Sequence, residues 1–192
     1  TGEGARLYIL MDDGAEVHLK EDSALKISEY VISAGYGKDS SSVLDLIRGG
    51  LRKITGSIGS SSQANYQVQT GFATIGIRGT EYVIKLCKQD DCTRNVSRND
   101  PDAKLHAVVL NGAISVSTND DIRILMAMGE YGTATPEVLV IEDEAPVPAG
   151  LLDTDEVQSF SKVEMPKSQA EEQSSASPWV WIIGLLMLAV GI

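Results

Sequence analysis

Two short strands pivoting on Arg78-Gly79-Thr80 set the fold class of this chain. Ahead of the pivot, Ala73, Ile75 and Ile77 alternate with Thr74 and Gly76. An apolar residue at every second position marks a strand with one buried face. Behind it, Tyr82-Val83-Ile84 is aromatic and β-branched, which suits a mostly buried pleated strand. Gly79 lets the backbone turn where a side chain would clash. Arg78 is a cation inside an apolar run, and a buried charge needs a partner. Its five-donor fork can satisfy carbonyls or a carboxylate at such a corner. Arg78 is therefore expected to brace the corner and Thr80 to bond backbone there. Direct ligand contact by the triplet is the alternative.

The same signals recur along the chain. Arg6 to Met11 reads as a strand, and Asp12-Asp13-Gly14 as a hairpin turn, because Asp-Gly tolerates the positive φ such turns require. Glu16 to Leu19 returns, and Ala24 to Ile27 follows with Leu25 and Ile27 facing in. Ser42 to Arg48 fits a helical or a strand period. Gly49-Gly50 would cost a helix about 1 kcal/mol each, which favours strands. Gly56 to Ser62 is a flexible Gly/Ser loop; it lacks the lysine and the following helix of a phosphate-binding loop. Tyr66 to Thr70 alternates again. Cys87 to Ala103 is a polar insertion. Leu105 to Leu110 and Ala113 to Val116 flank Asn111-Gly112, a hairpin signal, and Ile122 to Leu125 and Glu137 to Ile141 are further strands.

No amphipathic helix precedes residue 150. These patterns predict an all-β domain over residues 1–144, either a β-roll or solenoid-like stack or a sandwich of hairpins. A glycine followed by alternating apolar residues, after Gly14, Gly50, Gly79 and Gly112, reads as a weak structural repeat.

Ala145-Pro146-Val147-Pro148 ends that domain, and a polar, acidic linker runs over residues 145–178, with a short helix near Asp153 to Phe160. Of the formal net charge of −11, most lies between Glu142 and Glu172, with nine acidic and two basic residues. That segment reads as a solvated linker. An acidic chain without a basic stripe is not built to neutralise phosphates, so nucleic acid is not an expected partner. The run 179–192 holds 14 residues without a charge and opens on Trp179 and Trp181. A bilayer span takes about 20 apolar residues. With tryptophans where an interfacial belt would lie, the run reads as the start of a transmembrane helix continuing past Ile192.

The segment from Gln69 to Tyr82, with its threonine, apolar run and Arg78-Gly79-Thr80, resembles the hallmark of the FecR domain family. Gly71 stands where the family usually has proline. Asp13-Gly14, Ser23 with Leu25 and Ile27, Leu46 to Arg52, and Leu110-Asn111-Gly112-Ala113-Ile114-Ser115-Val116 add to the match, which spans roughly residues 1 to 135. The resemblance implies strands ahead of Thr1 and an extracytoplasmic β-domain that senses or binds. One implied role is envelope signal transduction in bacteria, from the periplasm or outside, anchored in the inner membrane and working through a protein partner. The alternative is a surface or cell-envelope adhesion module that binds glycan or protein without signalling. In the family's sigma-factor regulators the membrane helix precedes the domain. Here the apolar run follows it, so iron specificity is not carried over.

Candidate chemistry is sparse. Cys87 and Cys92 are separated by four residues, two more than a redox Cys-x-x-Cys. A zinc site wants four ligands, and His18 and His106 are remote in sequence. A local disulfide is the first expectation for a domain outside the cytoplasm, with two reduced thiols as the alternative. Asp12-Asp13 and Asn119-Asp120-Asp121 read as Asx turns rather than calcium ligands. His18 and His106 each sit on the polar side of an alternating strand and are expected to be solvated. No nucleophile and base are paired, so no enzyme, metal site or cofactor is predicted.

Overall fold

The computed structural model describes residues 1–61, 65–77, 79–119, 123–142 and 145–164. The run 179–192, expected to enter a membrane, lies outside the described residues. Among those described, no helix is long and apolar enough to cross a bilayer.

The chain opens with the antiparallel hairpin β1 (Leu7–Leu10) and β2 (Glu16–Leu19), whose turn places Gly14 at φ +80°. It crosses to β3 (Ala24–Val31) and β4 (Ser41–Arg48), returns as β5 (Gly50–Ile54), and passes through a short helix, α1 (Ser57–Ser61). There follow β6 (Tyr66–Gln69), β7 (Ala73–Ile77), β8 (Glu81–Lys88), β9 (Asp91–Asn95), β10 (Ala103–Asn111), β11 (Ala113–Thr118), β12 (Arg123–Ala127), β13 (Tyr131–Ala134) and β14 (Leu139–Ile141). A helix, α2 (Thr154–Glu164), closes the described chain.

One sheet has the order β1-β2-β5-β8-β10-β13-β14, with β9 paired to the end of β8; the other has the order β12-β11-β7-β6-β4-β3. All pairings are antiparallel except β4 with β6. The two sheets face each other across one core. Leu51, Tyr82, Ile84, Leu86, Leu105 and Val109 come from the first; Leu44, Leu46, Val68, Ile75, Ile114 and Val116 come from the second. The layers form a sandwich, and the path is that of a roll, because the chain keeps winding from one sheet to the other.

Of the repeat glycines, Gly79 and Gly112 mark where the chain changes sheets, Gly50 opens β5 just after such a corner, and Gly14 turns a hairpin within one sheet. Gly49, Gly79, Gly112 and Gly129 stand between strands of opposite sheets with φ of +74°, +62°, +78° and +85°. Asn111-Gly112 is therefore not a hairpin, as the sequence suggested. Its flanking strands lie in different sheets, and β10 pairs with β8 and β13. A Cβ at Gly112 would stand 2.4 Å from the Gly79 carbonyl oxygen, so one corner packs directly on the other.

Other expectations also change. Ile27 does not face in: it is 48 % exposed, because β3 is an edge strand with register shifts at Ala24/Leu25 and Ile27/Glu29. The Gly/Ser loop contains α1, held by the fully buried Ile58. The polar insertion continues β8 and folds back as β9. The strand β13 was not anticipated.

Residues expected to begin the linker lie against the outer face of the eight-stranded sheet. Leu151 and Phe160 form a second core with Val83, Cys87, Cys92, Val108, Leu110 and Tyr131, flanked by Val147 and Leu152. In α2, Glu156 and Phe160 are one helical turn apart and both buried, so they share the inward stripe.

Candidate functional site

Asp13 and Thr80, from the two turn motifs, grip the same short segment. The Asp13 carbonyl accepts from Ser57 N at 2.8 Å, and its carboxylate accepts from Ile58 N at 3.3 Å, Ala15 N at 3.2 Å and the Tyr30 hydroxyl at 3.1 Å. On the other side, the Thr80 carbonyl accepts from Thr55 N at 2.9 Å and from Thr55 Oγ1 at 2.8 Å. Thr80 N donates back to Thr55 Oγ1 at 3.0 Å. Two stretches remote in sequence thus hold residues 55–58 between them, which gives the Gly/Ser run its fixed shape. Gly79 turns the backbone at this corner; Arg78 lies outside the described residues.

Beneath this clamp is a buried polar group. Lys53 is 0 % exposed, with its Nζ 4.4 Å from the centroid of the Tyr66 ring. Burial pulls its ammonium down to about 7, opposed by Asp13. Tyr66 and Tyr82 are fully buried in the same interior, and desolvation raises both phenols. Lys53 Nζ and both hydroxyls have no hydrogen-bond partner among the described residues. Nothing in the residue pattern signals this, since a lysine in a short strand reads as outward-facing.

On the outer face of the eight-stranded sheet, Cys87 and Cys92 form the expected disulfide, and both are fully buried. His106 is not solvated: it is 0 % exposed. Its strand parity was read correctly, but the face opposite Leu105 is covered by the 87–92 turn and by Tyr131. The Gln89 carbonyl can only accept, so His106 Nε2, at 2.8 Å, carries a proton and donates to it. In the neutral ring Nδ1 then accepts from the Tyr131 hydroxyl at 2.7 Å. Burial lowers the imidazole pKa, in keeping with that neutral form. His18, by contrast, is half-buried beside Glu16 at 3.0 Å and meets the Tyr8 ring edge-on.

An ion cluster pins the start of α2. Lys20, itself buried, meets Glu156 at 2.5 Å and Asp153 at 3.2 Å; Arg6 meets Asp153 at 3.0 Å. Arg52 pairs with Glu81 and, at 3.0 Å, with Asp155. Glu156 also accepts from Asp153 N at 2.8 Å, as the third helical residue does in a capping box. Lys85 donates to the Gly150 carbonyl at 2.8 Å. The segment is thus strapped by charge to Lys20 just after β2, to β5 and to β8, and by apolar contact to β10. The short helix expected near Asp153 to Phe160 is present as α2, but its acidic residues are docked on the sheet and not solvated; the Asp153-Thr154-Asp155-Glu156 spacing was the available signal for the cap.

The family model described as FecR protein matches residues 1–115. The chain belongs to the FecR family. The matched stretch carries the Asp13 turn, the Gly79-Thr80 corner, the disulfide turn and His106; the FecR model stops short of β12–β14 and the strap. Two crystal structures of a candidate anti-sigma factor from Parabacteroides distasonis ATCC 8503, at 1.65 Å and 2.50 Å resolution, share the fold. Each superposes with a TM-score of 0.52 and 13 % identity over 74 % of this FecR-family chain and 56 % of its own. The present chain thus spans little more than half the length of that protein. No curated protein sequence matches it.

Proposed function

We propose that this FecR-family chain is an extracytoplasmic sensing module in envelope signal transduction. In this reading its β-domain lies in the periplasm or outside a bacterial cell. A helix beginning near Trp179 anchors it in the inner membrane, and a protein partner binds the β-domain. The observation that carries the reading is the strap. In a FecR-family domain, the segment leading toward the apolar C-terminal run is folded onto the eight-stranded sheet instead of hanging free. A partner that perturbs this sheet acts directly on the connection to the membrane. A passive tether would have no use for a buried Lys20–Glu156 pair. The anti-sigma description of the structural neighbour agrees with signalling.

Adhesion to glycan is the second reading, favoured by Tyr8, 64 % exposed beside His18. Exposed aromatic faces suit sugar stacking, but a single ring is a small platform.

Producing the full chain in its cell of origin separates the two. Signalling predicts inner-membrane fractionation, protease sensitivity of the β-domain in spheroplasts, and altered transcription of genes under one alternative sigma factor. Unchanged transcription together with Tyr8-dependent binding on a glycan array would favour adhesion. Recovery in the soluble fraction, with the β-domain protected in spheroplasts, would refute both.

A further inference from the structure

The buried ring of His106 stands against the disulfide. One His106 nitrogen and the two cysteine sulfurs lie within 4.8 Å of one another, all buried. Asp90, on the turn between the cysteines, brings a carboxylate oxygen to 3.9 Å from His106 Nε2. We propose that in the dithiol state Cys87, Cys92 and His106 form a site for a zinc-class divalent cation, with Asp90 as the fourth donor at its open side. This goes beyond the sensing role and does not depend on it.

The sequence objection to zinc was that the histidines are remote. The antiparallel pairing of β8 with β10 removes it. Cys87 lies opposite Lys104 and His106 opposite Lys85, so Cys87 and His106 are diagonal neighbours on one face. Two cysteines separated by four residues, with histidine, are a borderline-soft donor set of the kind that holds zinc tetrahedrally. Tyr131 on Nδ1 fixes the ring plane from behind, as outer partners of metal-bound histidines do. Asp90 is 72 % exposed, which gives a path from solvent; the oxygen that faces His106, Oδ1, is the one Lys104 holds at 2.7 Å, so the carboxylate binds the metal by turning Oδ2 inward or by giving up Lys104.

The disulfide and the cation compete for the same two sulfurs. A dithiol reductant supplies two electrons and two protons, the S–S bond breaks, and the reductant leaves as its own disulfide. The cation then displaces the thiol protons to solvent. The His106 proton shifts from Nε2 to Nδ1, so Nε2 is free to bind the metal and the Tyr131 oxygen accepts from Nδ1. The Gln89 carbonyl gives up its bond, which needs only a shift of the 88–91 turn.

The test uses the full 192-residue chain in mild detergent, reduced with dithiothreitol, desalted anaerobically and titrated with Co²⁺. The proposal expects one equivalent to give a thiolate-to-cobalt charge-transfer band and the intense visible bands of a tetrahedral site, and none in the oxidised chain. Tyr131→Phe should weaken binding about tenfold, and His106→Gln more. X-ray absorption of the zinc form of the unmutated chain should show two sulfurs with two nitrogen or oxygen donors, which does not rely on any variant folding. Absence of the band, an unchanged titration in His106→Gln, a zinc shell without two sulfurs, or loss of the strand circular dichroism on reduction alone would each overturn it.

Discussion

Lys20 and Glu156 are 136 positions apart in sequence and 2.5 Å apart in space, both almost fully buried. Removing one side of a buried pair costs ~3–5 kcal/mol when the remaining charge is left alone; Lys20 would keep Asp153 at 3.2 Å, so the cost here lies below that range, with the loss of the Glu156 bond to Asp153 N added to it. Glu156→Ala is therefore expected to release α2 and expose Leu151 and Phe160. Limited proteolysis should then cut within residues 151–164. Replacing both partners, Lys20→Met with Glu156→Leu, should recover most of the lost protection. Equal cleavage in single and double variants would contradict the pairing.

The corner at Thr80 is held by backbone groups. Thr55→Val removes the side chain that both donates to and accepts from Thr80 and leaves the Thr80 N–H buried without its bond. The expected loss is ~1–3 kcal/mol in a urea melt. Thr80→Val keeps those backbone partners, and its cost should stay below ~1 kcal/mol. The reverse order would show that the Thr80 hydroxyl, not its backbone, matters.

Gly14 and Gly112 have nearly the same φ, +80° and +78°, in different surroundings. A Cβ at Gly14 meets nothing within 4 Å, whereas at Gly112 it meets backbone oxygen at 2.4 Å. Gly14→Ala should cost ~1 kcal/mol of conformational strain alone. Gly112→Ala should cost clearly more, since the Gly79 corner would have to move. Thermal melts of the two variants measure the difference directly.

Lys53 ties stability to pH. With a folded pKa of about 7 against an unfolded 10.5, the unfolded chain binds the extra proton between those values. Stability contributed by this residue therefore rises with pH through that window and is lowest below about 7. The buried phenols of Tyr66 and Tyr82, raised by desolvation, act oppositely: their contribution falls as pH climbs past 10.0. Lys53→Met should flatten the 7-to-10 limb and raise the melting temperature at pH 6. A limb of unchanged slope would mean that another group carries it.

Strands were legible where one face meets the core and the other meets water. Ala73, Ile75 and Ile77 in β7 are the clear case, because burial imposes period two on the residues themselves. Legibility failed where the deciding contact is distant. Ser57 to Ser61 has loop composition, and the partners that make it α1, Asp13 and the packing of Ile58, come from elsewhere in the fold. His106 was placed on the correct side of β10, but what covers that side is set by Tyr131 and the disulfide turn. Lys53 breaks the pattern outright, since a cation occupies an inward position next to Leu51. The acidic strap looked like solvated linker because its partners are a hundred or more positions upstream: Arg6 just before β1, Lys20 just after β2, and Arg52 in β5.

The most direct measurement is amide hydrogen exchange of the full chain, comparing Val157 to Phe160 with β8 and β10. A strap that is part of the fold should show protection in α2 approaching that of those strands, and Glu156→Ala should remove it from α2 while β8 and β10 stay protected. Exchange of α2 at unstructured-chain rates, with β8 and β10 fully protected, would contradict the docked strap and the sensing route built on it.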